Sequence, residues 1–168
     1  MLRTRRLLTA LILCATLASP LSAAAQTAPI LTTNDLGPGW TSQGATTKHV
    51  AQGDVYRDIF NAPADYPDGT GVALQVAVAA SDEIRDALIS QYADAYRDAG
   101  YDMQPESDVG DQPGLVGSLS TPDATSTLYL YAVGHNVVLL IAGTGQAQAS
   151  GIDSLALQLA KNQAVRLS

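Results

Sequence analysis

The sequence predicts an α+β fold: a single antiparallel β-sheet with two amphipathic helices packed on one face. Three observations carry that reading. Residues 125–145 (TSTLYLYAVGHNVVLLIAGTG) hold two apolar runs, 125–133 and 137–142, around Gly134-His135-Asn136. Gly and Asn accept the positive φ that such hairpin turns demand. Residues 81–99 and 151–167 repeat apolar positions at helical spacing. The segments run strands, helix, strands, helix, and successive strands are joined mainly by short turns, which favours antiparallel pairing.

Taken in order, the N-terminus reads as an export signal. Arg3, Arg5 and Arg6 form a positive region, residues 7–17 an apolar run, and Pro20 precedes Ser22-Ala23-Ala24-Ala25. Cleavage is expected after Ala25, and the run is too short for a stable membrane span. The organisation is therefore a cleaved signal over 1–25 and one domain over 26–168, secreted or held in the extracytoplasmic envelope. Thr4-Arg5-Arg6-Leu7-Leu8 contains part of a twin-arginine pattern, although the strongly apolar run suits the general secretory route better. Cys14 is preceded by Leu13 and followed by more apolar residues, unlike a lipoprotein site.

Removing Arg3, Arg5 and Arg6 leaves six of the nine basic residues against sixteen acidic ones, a formal charge of −10. The mature chain has no cysteine, because Cys14 is the only one. Disulfides, thiolate nucleophiles and cysteine-bound metals are thereby excluded. An acidic surface also opposes nucleic acid and anionic membranes, whose phosphates require Lys and Arg.

Residues 26–30 read as a short lead-in. In LTTNDLGPGW (31–40), Thr32 or Thr33 caps a single helical turn, Gly37-Pro38-Gly39 ends it, and Trp40 is an apolar anchor. This stretch resembles the Leu…Asp-Leu-Pro-x-Gly-aromatic opening of small exported bacterial domains. Here it reads Asp35-Leu36-Gly37-Pro38-Gly39-Trp40, with the proline displaced by one position. The resemblance covers about ten residues. It implies an exported domain and carries no activity.

Residues 40–50 read as a polar edge strand. In 54–61, Val55, Arg57 and Ile59 alternate with Tyr56, Asp58 and Phe60. A Pro/Gly/Asp loop over 61–71 leads into strand 72–80, with Val72, Leu74, Val76 and Val78 on one face and Ala73, Gln75, Ala77 and Ala79 on the other. Ser81 caps the first helix, Asp82 and Glu83 suit its positive end, and Gly100 closes it. Ile84, Ala87/Leu88, Gln91/Tyr92, Ala95 and Ala99 are its expected buried stripe, with Arg85, Asp86, Asp94, Arg97 and Asp98 solvated.

A short strand over 101–104, an acidic loop over 105–113 and a strand over 115–120 follow. Thr121-Pro122-Asp123-Ala124 turns the chain into the hairpin. The first hairpin strand alternates; the second, with Val137, Val138, Leu139, Leu140 and Ile141, is apolar on both faces and belongs inside a sheet covered on both sides. The last helix presents Ile152, Leu155/Ala156, Leu159/Ala160 and Ala164.

With both helices on one face, Leu74, Val76, Val78, Leu128 and Leu130 point toward them. The opposite face then displays Tyr129, Tyr131, Ala73, Gln75, Ala77, Ser118 and Ser120. Rings among small residues leave grooves, so the candidate ligand-binding residues are Tyr129, Tyr131, Gln75, Ser118 and Trp40, with a small molecule, glycan or peptide as ligand. Burial of the same rings as core, under the segment around Trp40 or under residues 101–114, is the competing expectation.

No catalytic motif stands out: there is no Gly-x-Ser-x-Gly elbow, no His-Glu-x-x-His helix, no phosphate loop and no Rossmann fingerprint. Neither His49 nor His135 stands in a sequence pattern that supplies a nucleophile and an orienting acid. No metal or cofactor is expected; Asp65 and Asp68, and Glu106, Asp108 and Asp111, lack EF-hand spacing and read as solvated acids. The reading is a non-catalytic binding or sensor-like domain. Two rivals remain: a hydrolase of envelope polymers using the acids of the two loops, and a homodimeric structural protein using the tyrosine face.

Overall fold

The computed structural model describes residues 30–147 and 149–168. The export signal read over 1–25 lies outside the described residues. The elements are α1 (Thr33–Leu36), β1 (Thr41–Ser42), β2 (Thr46–Val50), β3 (Gly53–Asn61), β4 (Gly71–Ala79), α2 (Asp82–Asp98), β5 (Asp102–Glu106), β6 (Gly114–Thr121), β7 (Ala124–Val133), β8 (Asn136–Thr144) and α3 (Ile152–Leu167).

All eight strands join one antiparallel sheet in the order β1-β3-β4-β8-β7-β6-β5, with β2 also on β3. The α+β class and the single antiparallel sheet are as the sequence predicts. β1 and β2 share the outer edge of β3, pairing with its far and near ends respectively. The edge strand expected over 40–50 is thus broken in two, and Gln43 N–H crosses the break to Ile59 O at 2.8 Å. β5 is the other edge; Pro105 is tolerated there because an edge strand has ladder positions with no partner to serve. Gly134 takes φ +56° in the β7–β8 turn.

One expectation is overturned: the two long helices do not share a face. α2 packs on Leu128, Leu130, Val137, Leu139, Ile141 and Ala77 through Leu88, Ile89, Tyr92, Ala93 and Tyr96. α3 packs on the reverse side with Tyr129, Tyr131, Val138, Leu140, Leu74 and Val76, through Ile152, Ala156, Leu159 and Ala160. The register explains the division. Leu74 lies opposite Leu140, which lies opposite Tyr129, whereas Ala77 lies opposite Val137, which lies opposite Ala132. Residues directly opposite in an antiparallel ladder share a face. The tyrosines therefore side with Leu74 and Val76, and Gln75 sides with Leu128 and Leu130.

The buried stripe of α2 is also rotated by one position. Ala87, Gln91, Ala95 and Ala99 are exposed, and Arg85 and Ala93 are the buried residues. Burying the Tyr92 and Tyr96 rings removes more apolar surface from water than burying alanines. Arg85 turns inward to the β7–β8 turn. Its guanidinium donates to Asp82 Oδ1 at 2.7 Å, to Asp86 Oδ1 at 2.9 Å and to Gly134 O at 3.5 Å. The hydrogen bond it donates to Asp86 raises its pKa, against the opposing pull of desolvation, with the charges of Asp82 and Asp86 adding to the rise.

Candidate functional site

Of the five residues expected to bind a ligand, the structure buries Trp40, Tyr129 and Tyr131 in one core and leaves Gln75 and Ser118 apart from them. Tyr131 is 1 % exposed, and its Oη donates to Ala160 O in α3 at 2.8 Å. Burial pushes its phenol pKa far up. Tyr129 is 5 % exposed beside it; burial first, then the charges of Glu106, Asp153 and Asp108, raise its pKa. Trp40 is buried in the same core and meets Tyr66 edge-on, with ring centroids 5.3 Å apart.

Gln75 lies on the other face and donates to Tyr92 Oη at 2.6 Å, beside a narrow slot bounded by Arg57, Tyr96 and Leu139. Ser118 is exposed near the β5 edge, opposite Thr127. Among the described residues the tyrosine face is covered: α3 and the segment carrying Ile30, Leu31 and Trp40 pack with the rings.

A recess does form where that leading segment crosses β1 and β3. Asp58 occupies the core-facing row of β3 between Tyr56 and Phe60, the row that faces Val76, Leu74 and Val72 of β4. It is 5 % exposed. Oδ2 accepts from Ser42 Oγ at 2.6 Å and Oδ1 from the Ile59 N–H at 2.7 Å. Ser42 Oγ in turn accepts from the Gly44 N–H at 2.9 Å, so the turn after β1 is tied through one hydroxyl to a buried carboxylate. The recess measures about 210 Å³. Ile30, Leu31 and Ala45 give it apolar walls, while Thr32, Thr33, Ser42 and Asp58 supply polar groups.

Its outer wall is held by α3. Leu31 N–H donates to Gln163 Oε1 at 2.9 Å, and the Gln163 side chain is fully buried. The Asp35 carboxylate accepts from the Thr32 N–H at 2.6 Å and hydroxyl at 2.8 Å, and from Arg166 at 3.2 Å. Burial pulls the Asp35 pKa up, but the two Thr32 donors and the Arg166 charge outweigh it, leaving the net value lowered. The sequence did hold a signal for this site: Asp58 is an acid in a row otherwise occupied by aromatics, where a solvated position would be unusual.

Each of the two histidines among the described residues pairs with a single acid. His49 Nδ1 lies 2.5 Å from Asp54 Oδ1 in the β2–β3 hairpin, and His135 Nε2 lies 3.3 Å from Asp82 Oδ1. Among the described residues, no three His, Cys, Asp or Glu side chains come together in a group able to hold a metal ion.

The two acidic loops sit apart. Asp111 Oδ2 accepts from the Gly134 N–H in the β7–β8 turn, just before β8, whereas the Asp68 carbonyl accepts from the Thr144 hydroxyl at the far end of β8. Eight residue steps of strand separate those ends by about 27 Å. An acid and base drawn from Asp111 and Asp68 cannot flank one bond.

No family model matches the chain, and no curated protein matches it. Among solved structures it is similar to the extracellular domain of PknH from Mycobacterium tuberculosis, with a TM-score of 0.56 over 86 % of this chain and 97 % of that one. The two are 11 % identical. At that identity the likeness is one of fold: an α+β domain of the architecture found in that extracellular domain.

Proposed function

We propose that this chain is an exported, non-catalytic recognition domain of the sensor-like kind, and that it binds a small ligand in the recess around Asp58. The observation that carries the reading is a recess of about 210 Å³ with a nine-tenths-buried carboxylate in its lining. Sites for small molecules are concave, mostly apolar and furnished with few, fixed polar groups. Here the fixing is done by Ser42 and the Ile59 N–H, which hold both carboxylate oxygens in place.

The export signal over 1–25 and a mature chain of charge −10 agree with work outside the cytoplasm, as does a fold shared with an extracellular domain. Mature residues 26–168 act as one domain in this reading, without cofactor.

The test has two parts. N-terminal sequencing of protein collected from the medium or envelope is expected to begin at Gln26. A fragment screen by NMR is expected to shift the amides of Ser42, Gly44 and Ile59 and to lose those shifts in Ala45→Leu, which narrows the mouth. A protein retained inside the cell, or fragments that never touch those amides, would refute the proposal.

A further inference from the structure

Resting on that reading of the recess, we infer that its ligand carries a small ammonium group on an apolar stem, and that Asp58 is the counter-ion. Asp58 is a carboxylate taken out of water. Such a group is retained in folded proteins when it is paired with a cation or fully hydrogen-bonded, because desolvating an isolated charge is costly. Asp58 is 95 % buried yet forms no ion pair among the described residues; it accepts from one hydroxyl and one backbone N–H.

A carboxylate offers about four acceptor positions, and two donors leave about half of them open. A compact ammonium brings three N–H donors and a full positive charge. A neutral alcohol brings one donor and no charge.

The rest of the recess fits the same chemistry. Thr32, Thr33 and Ser42 hydroxyls can accept the ammonium protons that Asp58 does not take, and Ile30, Leu31 and Ala45 can cover a short hydrocarbon stem. About 210 Å³ lies below the range of roughly 300–1,000 Å³ typical of drug-sized sites, so the occupant is small. The surrounding charge of −10 on the mature chain raises the local concentration of cations and repels anions.

The probes are n-butylammonium chloride and 1-butanol, which share a stem and differ in the head group. Each is titrated into the full mature chain at matched ionic strength, following the amides of Ser42, Gly44 and Ile59 by NMR. The ammonium is expected to bind about ten- to hundred-fold more tightly than the alcohol, the ratio that a charge-assisted hydrogen bond of about 1.5–3 kcal/mol supplies.

Asp58→Asn, whose carboxamide oxygen can still accept from Ser42, is expected to remove that preference, the ammonium's affinity falling about ten-fold or more. Should Asp58→Asn fail to fold, the comparison of the two probes on the natural chain decides the matter alone. Equal affinities for ammonium and alcohol would overturn the inference and leave the binding recess standing. No shift of these amides with either probe would overturn the recess itself.

Discussion

Tyr131 is the residue on which the burial of the tyrosine face turns. Its ring is fully enclosed between β7 and α3, and its hydroxyl reaches Ala160 O at 2.8 Å. Tyr131→Phe keeps the ring and removes one hydrogen bond. The Ala160 carbonyl remains served by the helix ladder, so the loss is about 1 kcal/mol, the usual net worth of such a bond. Tyr131→Ala also empties the ring volume, and aromatic-to-alanine changes in cores cost about 3–5 kcal/mol.

Against a domain stability of about 5–15 kcal/mol, the alanine variant is expected to sit near the edge of folding. Urea unfolding, followed by far-ultraviolet circular dichroism and by the fluorescence of the single tryptophan, Trp40, measures both. With a slope of about 1.5 kcal/mol per molar urea, the midpoint falls by about 0.7 M for phenylalanine and about 2–3 M for alanine. If both variants stay within about 0.5 kcal/mol of the parent, as surface substitutions do, the ring is outside the core and the packing described for α3 is wrong.

Three further outcomes follow from individual contacts. Gln163→Leu leaves the buried Leu31 N–H without its acceptor; a loss of about 1–3 kcal/mol and faster exchange of that amide proton are expected. Gly53→Ala meets both a φ of +137° and a Cβ position 1.7 Å from Val78 O. It is expected to cost about 2 kcal/mol or more in thermal unfolding, by strain and by separation of β3 from β4.

Asp35 carries a lowered pKa in the folded chain, so its stabilising effect is complete above the unfolded carboxylate value of about 3.9 and disappears as pH falls through the folded one. Asp35→Asn is therefore expected to lower stability at pH 7 and to flatten its decline between about pH 5 and pH 2. An unchanged acid limb would show that the Thr32 and Arg166 contacts contribute nothing.

The secondary elements were legible because their signals are local. Ser81 followed by Asp82 and Glu83 starts a helix by capping and dipole complementarity, and its hydroxyl does accept the Ile84 N–H at 3.3 Å. The alternations in 54–61, 72–80 and 125–133 mark strands that the structure contains. Strand facing was not legible. Leu74 and Tyr129 meet through β8, which inserts between β4 and β7 after a long excursion through α2, β5 and β6.

A shift of one residue in either ladder exchanges the faces, and nothing local fixes it. One clue pointed the right way: Val137 to Ile141 is apolar on both sides, which two helices on a single face would leave half uncovered. The inward turn of Arg85 depends on Gly134 O, forty-nine positions away, and no helical periodicity contains it. Asp58 was visible as an acid among aromatics, but its recess requires Leu31 to be fastened by Gln163, a contact spanning 132 positions.

The measurement closest to the central claim is where ligands land on the folded mature chain. Mapping a library of small ammonium, polyol and aromatic fragments by amide shifts is expected to give one cluster, at Ser42, Gly44 and Ile59, led by the ammonium compounds. A cluster centred instead on Tyr129, Tyr131 and Ser118 would place recognition on the sheet face that α3 is described as covering, and would contradict both the packing and the site.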